Sequence, residues 1–158
     1  MPELPAVPGL AGLTAGVFGN GGALARALPD YEPRASQAEM ASHVATVFEH
    51  GGVLLAEAGT GTGKTLAYLV PAILSRQRVL ISTGTKNLQE QIYFKDIPTL
   101  RQALDVPFTA TYMKGRANYL CLHRLDQLGD ASNPLAHDVF LPIVKEWSKT
   151  TDTGDRAE

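Results

Sequence analysis

Ala58-Gly59-Thr60-Gly61-Thr62-Gly63-Lys64-Thr65 is the stretch on which the reading of this chain turns. It fits the phosphate-loop pattern G-x-x-x-x-G-K-[ST], with Ala58 standing where the strict form has glycine. Glycines at 59, 61 and 63 let backbone N–H groups wrap an anion, because no side chain blocks the approach. A helix beginning near Lys64 aims its unpaired N–H groups and positive dipole end at the same anion. Lys64 then reaches β and γ phosphates, and the Thr65 hydroxyl joins a Mg²⁺ shell. The loop names phosphate binding and leaves the reaction open, since kinases, GTPases, transporters and helicases share it.

The flanking sequence supplies the context such a loop needs. Val53 to Glu57 is a short apolar run bounded by glycines, which predicts a buried parallel strand. Lys64 to Ser75 reads as the following helix, which Pro71 should bend or end. Val79 to Thr83 and Phe108 to Met113 predict a second and a third strand. Asn87 to Tyr93 reads as a helix stopped before Pro98, and Asn118 to Leu128 as another. Upstream, residues 1–30 are rich in Gly, Pro and Ala, with the breaker cluster Gly19-Asn20-Gly21-Gly22. They predict a loose segment with a short helix over Ala23 to Leu28. Pro33 opens a helical stretch from Arg34 to His50, in which Met40, Val44, Val47 and Phe48 recur at helical spacing as a buried face. Strand and helix alternate, so the expected fold class is α/β, a parallel sheet with right-handed crossovers and flanking helices. The polar, unpatterned tail from Ser148 to Glu158 gives the expectation of a fragment.

Composition narrows the function classes. The chain has 158 residues, 44% of them apolar and 19% charged, a globular mix. A formal net charge of −2 argues against a binder that relies on bulk positive charge. One cysteine excludes an internal disulfide and any complete cysteine-only metal site within the chain. No apolar run approaches the roughly 20 residues that span a bilayer, and no basic residues precede the apolar start of Met1-Pro2-Glu3-Leu4-Pro5. The expectation is a soluble cytoplasmic protein. His43, His50, His123 and His137 have no metal-ligand spacing and read as structural or surface residues. Trp147 reads as a packing residue.

Hydrolysis needs a second acidic group, usually at the end of an apolar strand, to order Mg²⁺ and water. The chain has no Asp-Glu pair and no guanine-specifying Asn-Lys-x-Asp stretch. These residues alone are expected to bind a nucleotide without fast turnover.

Four segments in order then point to a family. They are AGTGTGKT, the upstream Arg34-Ala35-Ser36-Gln37, the downstream Ser82-Thr83-Gly84-Thr85-Lys86-Asn87-Leu88-Gln89-Glu90-Gln91, and Lys114-Gly115-Arg116-Ala117-Asn118-Tyr119-Leu120-Cys121. From about Phe18 to its end the chain resembles the DinG/YoaA branch of the XPD-like iron–sulfur DNA helicases of superfamily 2. The resemblance implies the front of a RecA-like P-loop motor domain, incomplete and cut inside an iron–sulfur insertion. In that scheme residues 31–116 belong to the motor domain and 117–158 open the insertion. It implies ATP hydrolysis coupled to five-prime to three-prime movement on single-stranded and forked DNA in repair or replication, by a protein that is monomeric when complete.

Carried onto this sequence, the resemblance makes residues Ala58, Gly59, Thr60, Gly61, Thr62, Gly63, Lys64 and Thr65 the ATP and Mg²⁺ site. Gln37 would read the adenine edge with Arg34 beside the base, although a Gln near a helix start is also an ordinary solvated or capping residue. Thr83, Thr85, Lys86 and Arg116 would hold DNA phosphates, and the same turn also reads as a plain helix N-cap. Cys121 would be the first ligand of a 4Fe-4S cluster, although a lone cysteine is also an ordinary small buried hydrophobe. Two rivals remain: a small P-loop kinase or NTPase, for which no lid segment is found, and a truncated nucleotide-binding module without helicase activity.

Overall fold

Helix α3 (Ala35–His50) starts directly after Pro33-Arg34 and ends at Gly51, whose N–H donates to the Val47 carbonyl. In the computed structural model, which describes residues 8–128 and 139–158, it packs on both α1 (Leu10–Phe18) and α4 (Lys64–Leu74). Its buried face is Gln37, Ala41 and Ala45, whereas Met40, Val44, Val47 and Phe48 are only half-buried. The expected face is therefore displaced. Alanines at 41 and 45 let neighbouring helix backbones approach closely, and the larger side chains move to the flanks of the contact.

The segment expected to be loose is organised from Leu10 onward, while residues 1–7 lie outside the described residues. Helices α1 and α2 (Ala23–Ala27) bury Phe18 and Leu24 in the same core as Leu69, Val70 and Leu100. The glycine cluster that suggested looseness is the turn between these helices. A Cβ on Gly22 would lie 2.5 Å from the carbonyls of Gly16 and Val17, so the chain can double back there only without a side chain.

Neither proline stops its helix. Helix α4 continues through the buried Pro71 to Leu74. Further on, α5 (Lys86–Gln91), a π-helical turn (Ile92–Asp96) and α6 (Ile97–Leu104) form one continuous helical run across Pro98. Pro98 falls in the first turn of α6, just after the widened π turn, where a missing N–H costs least. Helix α6 buries Ile97 and Leu100 and packs on α2.

The three expected strands are not joined by any ladder among the described residues. Segments 53–57, 79–83 and 108–113 run as irregular chain, with Val53 87%, Leu55 92% and Leu80 94% exposed. Apolar, β-branched content alone does not make a strand. A strand exists through hydrogen bonds to a neighbour, and that pairing is written in no single segment.

The chain divides into two compact units, residues 1–112 and 113–158. In the second, the expected helix over Asn118 to Leu128 is replaced by a 3₁₀ turn (Arg116–Asn118), an extended Tyr119 and a shorter α7 (Leu122–Leu128). Tyr119 pairs antiparallel with Asp155, flanked by bonds from Leu120 N–H to the Gly154 carbonyl (2.7 Å) and from Arg156 N–H to the Asn118 carbonyl (2.9 Å). Helix α8 (Phe140–Trp147) follows residues 129–138, which lie outside the described residues together with His137. No described helix is long and apolar enough to cross a membrane.

Candidate nucleotide site

The phosphate loop sits between two structural constraints, the start of α4 behind it and the start of α3 beside it. Gly63 is the N-cap of α4 in the left-handed region, with φ 81°, and Gly61 has φ 76°. Ala58 has no positive φ, so the departure from the strict glycine pattern asks nothing of the backbone there. Thr62 closes the loop on itself, its hydroxyl donating to the Gly59 carbonyl at 3.0 Å.

Protein donors hold the loop's carbonyl oxygens. Lys64 Nζ donates to the Ala58 carbonyl at 2.7 Å and also to that of Gly59. Arg34 Nη1 donates to the Gly61 carbonyl, and Gln37 Nε2 to the Gly63 carbonyl at 3.0 Å. Carbonyl oxygens are the groups that repel a phosphate, and here four of them carry a donor instead. Arg34 caps α3 in an extended conformation and Gln37 stands three residues later on the same side, so one helix start delivers both side chains to the loop. Gly63 also faces Gln37 so closely that a Cβ there would collide with the side-chain amide.

Gln37 is 5% exposed, and its Oε1 accepts a hydrogen bond from the Tyr31 hydroxyl at 3.1 Å. It lines two cavities. One, of about 380 Å³, is walled by Met40, Leu54, Ala58, Thr62 and Lys64 as well. The other, of about 320 Å³, is also lined by Leu28, Tyr31, Arg34 and Leu66. Thr65 is half-buried in the first turn of α4 and hydrogen-bonds Tyr68, one turn on. Burial pushes the Tyr68 phenol above the usual tyrosine range, the Thr65 bond opposes this, and Asp96 adds to the rise. Burial likewise raises Asp96, against the pull of Gln91 and Lys95. Tyr31 and Tyr68 had no signal in the sequence reading. The i, i+3 spacing of Tyr68 from Thr65 could have found the second, whereas Tyr31 precedes its helix and has no periodicity to betray it.

The remaining candidates lie elsewhere. Thr85 is the N-cap of α5, its hydroxyl accepting from Leu88 N–H at 3.3 Å, and the Thr83 hydroxyl donates to the Thr85 carbonyl at 3.1 Å. Thr85 and Lys86 are exposed in the first unit, and Arg116 is exposed in the second. Cys121 is exposed just ahead of α7, beside an apolar cavity of about 700 Å³ that Arg116, Arg124 and Arg156 also line. A four-iron cluster takes four ligands, commonly four thiolates. This chain has one cysteine, and no group of three or more His, Cys, Asp or Glu residues suited to a metal occurs among the described residues.

Comparison with known proteins bears on residues 34–118, which match the DEAD/DEAH box helicase family. The chain is 46% identical over 140 residues to the ATP-dependent DNA helicase YoaA of Escherichia coli, covering 87% of this chain and 22% of that protein. It is 38% identical over 146 residues to the 3'-5' exonuclease DinG of Bacillus subtilis, covering 89% and 16%. It is 39% identical over 149 residues to the ATP-dependent helicase DinG of Mycobacterium tuberculosis, covering 78% and 22%. The chain thus spans 16–22% of the length of these relatives.

Proposed function

This chain belongs to the DEAD/DEAH box helicase family, among the YoaA and DinG proteins, and from that we propose that it is the nucleotide-binding front part of an ATP-dependent DNA helicase. The family implies a RecA-like fold. The observation that carries the proposal is the loop itself, with Lys64 folded onto the Ala58 and Gly59 carbonyls at the start of α4. An arriving ATP draws the ammonium from those oxygens to its β and γ phosphates, a stronger charge-assisted contact. The Thr65 hydroxyl, which hydrogen-bonds Tyr68 here, would help hold a Mg²⁺ ion, which would neutralise phosphate charge. Arg34 and Gln37 flank the base. Gln37 keeps a second N–H and a second lone pair for an adenine edge.

In the complete protein this site drives five-prime to three-prime movement on single-stranded and forked DNA in repair or replication. Thr83, Thr85, Lys86 and Arg116 contact its phosphates there. In the complete protein segments 53–57, 79–83 and 108–113, which run as irregular chain here, pair as strands of the motor-domain sheet that residues 31–116 begin. Residues 117–158 open the iron–sulfur insertion, with Cys121 as first ligand. With one cysteine, the residues present do not complete that cluster. The protein is a cytoplasmic monomer.

Titration of the 158-residue chain with ATP and Mg²⁺ tests the site. Lys64→Met weakens binding about 10- to 100-fold, the span of a hydrogen bond to a charged group. Equal affinity in both proteins overturns the proposal. The absence of an Asp-Glu pair from the sequence favours a second reading for these residues taken alone, a nucleotide-binding module without helicase activity. ATP turnover by the chain that is coupled to separation of duplex DNA excludes that second reading.

A further inference from the structure

We propose that Tyr31 is a positioning residue that fixes the orientation of the Gln37 amide and, through it, ties the base-side cavity to the phosphate loop. This rests on the reading that the loop binds ATP. The two ends of a glutamine amide have nearly the same shape and opposite hydrogen-bonding character. The Gly63 carbonyl can only accept, so it selects the NH₂ end of Gln37 at 3.0 Å. The Tyr31 hydroxyl donates to the oxygen end at 3.1 Å. Together they leave one orientation. Without the hydroxyl, the amide oxygen of a residue only 5% exposed loses the hydrogen bond that Tyr31 gives it. Gln37 then turns away from Gly63, the residue that caps α4 immediately before Lys64. Tyr31 and Gln37 line the same cavity with Leu28, Arg34 and Leu66, so a base entering there presses on the residues that hold the loop. Burial raises the Tyr31 phenol above its ordinary range and Arg34 opposes the rise, so the hydroxyl remains a donor across the neutral range.

The test uses the 158-residue chain, labelled with nitrogen-15, as wild type, Tyr31→Phe, Gln37→Ala and the double variant. In the ligand-free state, Tyr31→Phe shifts or broadens the Gln37 side-chain amide pair, which Gln37→Ala identifies by its disappearance. Tyr31→Phe also weakens binding of ATP with Mg²⁺, and of inorganic tripolyphosphate with Mg²⁺, by about three- to tenfold. In the Gln37→Ala background the same change weakens either ligand by less than about twofold, because the residue through which Tyr31 acts is gone. An unmoved amide pair in Tyr31→Phe overturns the proposal, as does an equal loss in both backgrounds. If wild-type chain binds neither ligand, the nucleotide reading fails, and the amide resonances still decide the role of Tyr31.

Discussion

The Lys114 ammonium lies 2.6 Å from the Asp155 carboxylate, with 3% and 4% of the two side chains exposed. The pair joins the beginning and the end of the second unit, next to the bridge between Tyr119 and Asp155. The Tyr119 phenol oxygen in turn accepts from Lys114 N–H at 2.8 Å. Removing one member of a buried pair leaves the other charge without compensation, at a cost of about 3–5 kcal/mol. Asp155→Asn and Lys114→Met therefore each unfold the second unit at lower denaturant. Replacing both charges together, as Lys114→Met with Asp155→Asn, recovers most of the loss. Denaturation followed by Trp147 fluorescence checks this, and a double variant as unstable as the sum of the singles refutes it.

Two loop glycines with nearly the same φ should respond differently to alanine. Both incur the left-handed penalty of roughly 1–2 kcal/mol. Gly61 has open space where a Cβ would stand, whereas Gly63 meets the Gln37 amide. Gly63→Ala is thus the more destabilising in chemical denaturation, and it also displaces Gln37 from the loop. Equal losses at the two positions contradict this packing.

Thr85→Ala removes the cap of α5 and lowers stability by about 0.5–2 kcal/mol, with faster hydrogen exchange at Leu88 N–H. The same variant, combined with Lys86→Ala in the complete protein, separates the two readings of the turn. A shallower salt dependence of DNA binding marks phosphate contacts, and an unchanged slope marks a cap alone.

Hydrogen bonds hold the Glu158 carboxyl well below the usual glutamate range. Its carboxylate accepts from the Thr151 and Thr153 hydroxyls and from the N–H groups of Asp152 and Thr153, which holds it at about 2 instead of 4.5. A depressed folded value means that these bonds add stability above about pH 4.5 and lose it as pH falls toward 2. Carboxyl NMR should show a Glu158 midpoint near 2, and the 151–158 turn should loosen only below pH 4.5. A midpoint at the ordinary value removes the turn from consideration. The group is fully exposed, so added salt weakens the effect.

The phosphate loop was legible because its signal is local: glycines, Lys64 and Thr65 at fixed spacing, followed by a helix that forms where α4 forms. Arg34 and Gln37 stand out in the sequence only through the family likeness, while their contacts with the Gly61 and Gly63 carbonyls depend on how α3 packs against α4. Tyr31 could not be read, since a lone tyrosine before a proline looks like any half-buried aromatic. The face of α3 was misplaced for a related reason. Periodicity counts large apolar residues, whereas the tight contact was built on Ala41 and Ala45. Pro98 reads as a stop, whereas the structure sets it in the first turn after the π turn, where its missing N–H costs least.

That helical run has one further property. Ile92 and Ile97 are both buried in the core, yet at 3.6 residues per turn five residues would set them roughly 140° apart around the axis. The π turn between them takes up the difference and keeps Ile97 and Leu100 on the side of Ile92. Deleting one of residues 93–96 would leave Ile92 and Ile97 four residues and about 40° apart in a plain α-helix, still on one side of the run, so the π turn is one extra residue taken up without turning the core anchors away.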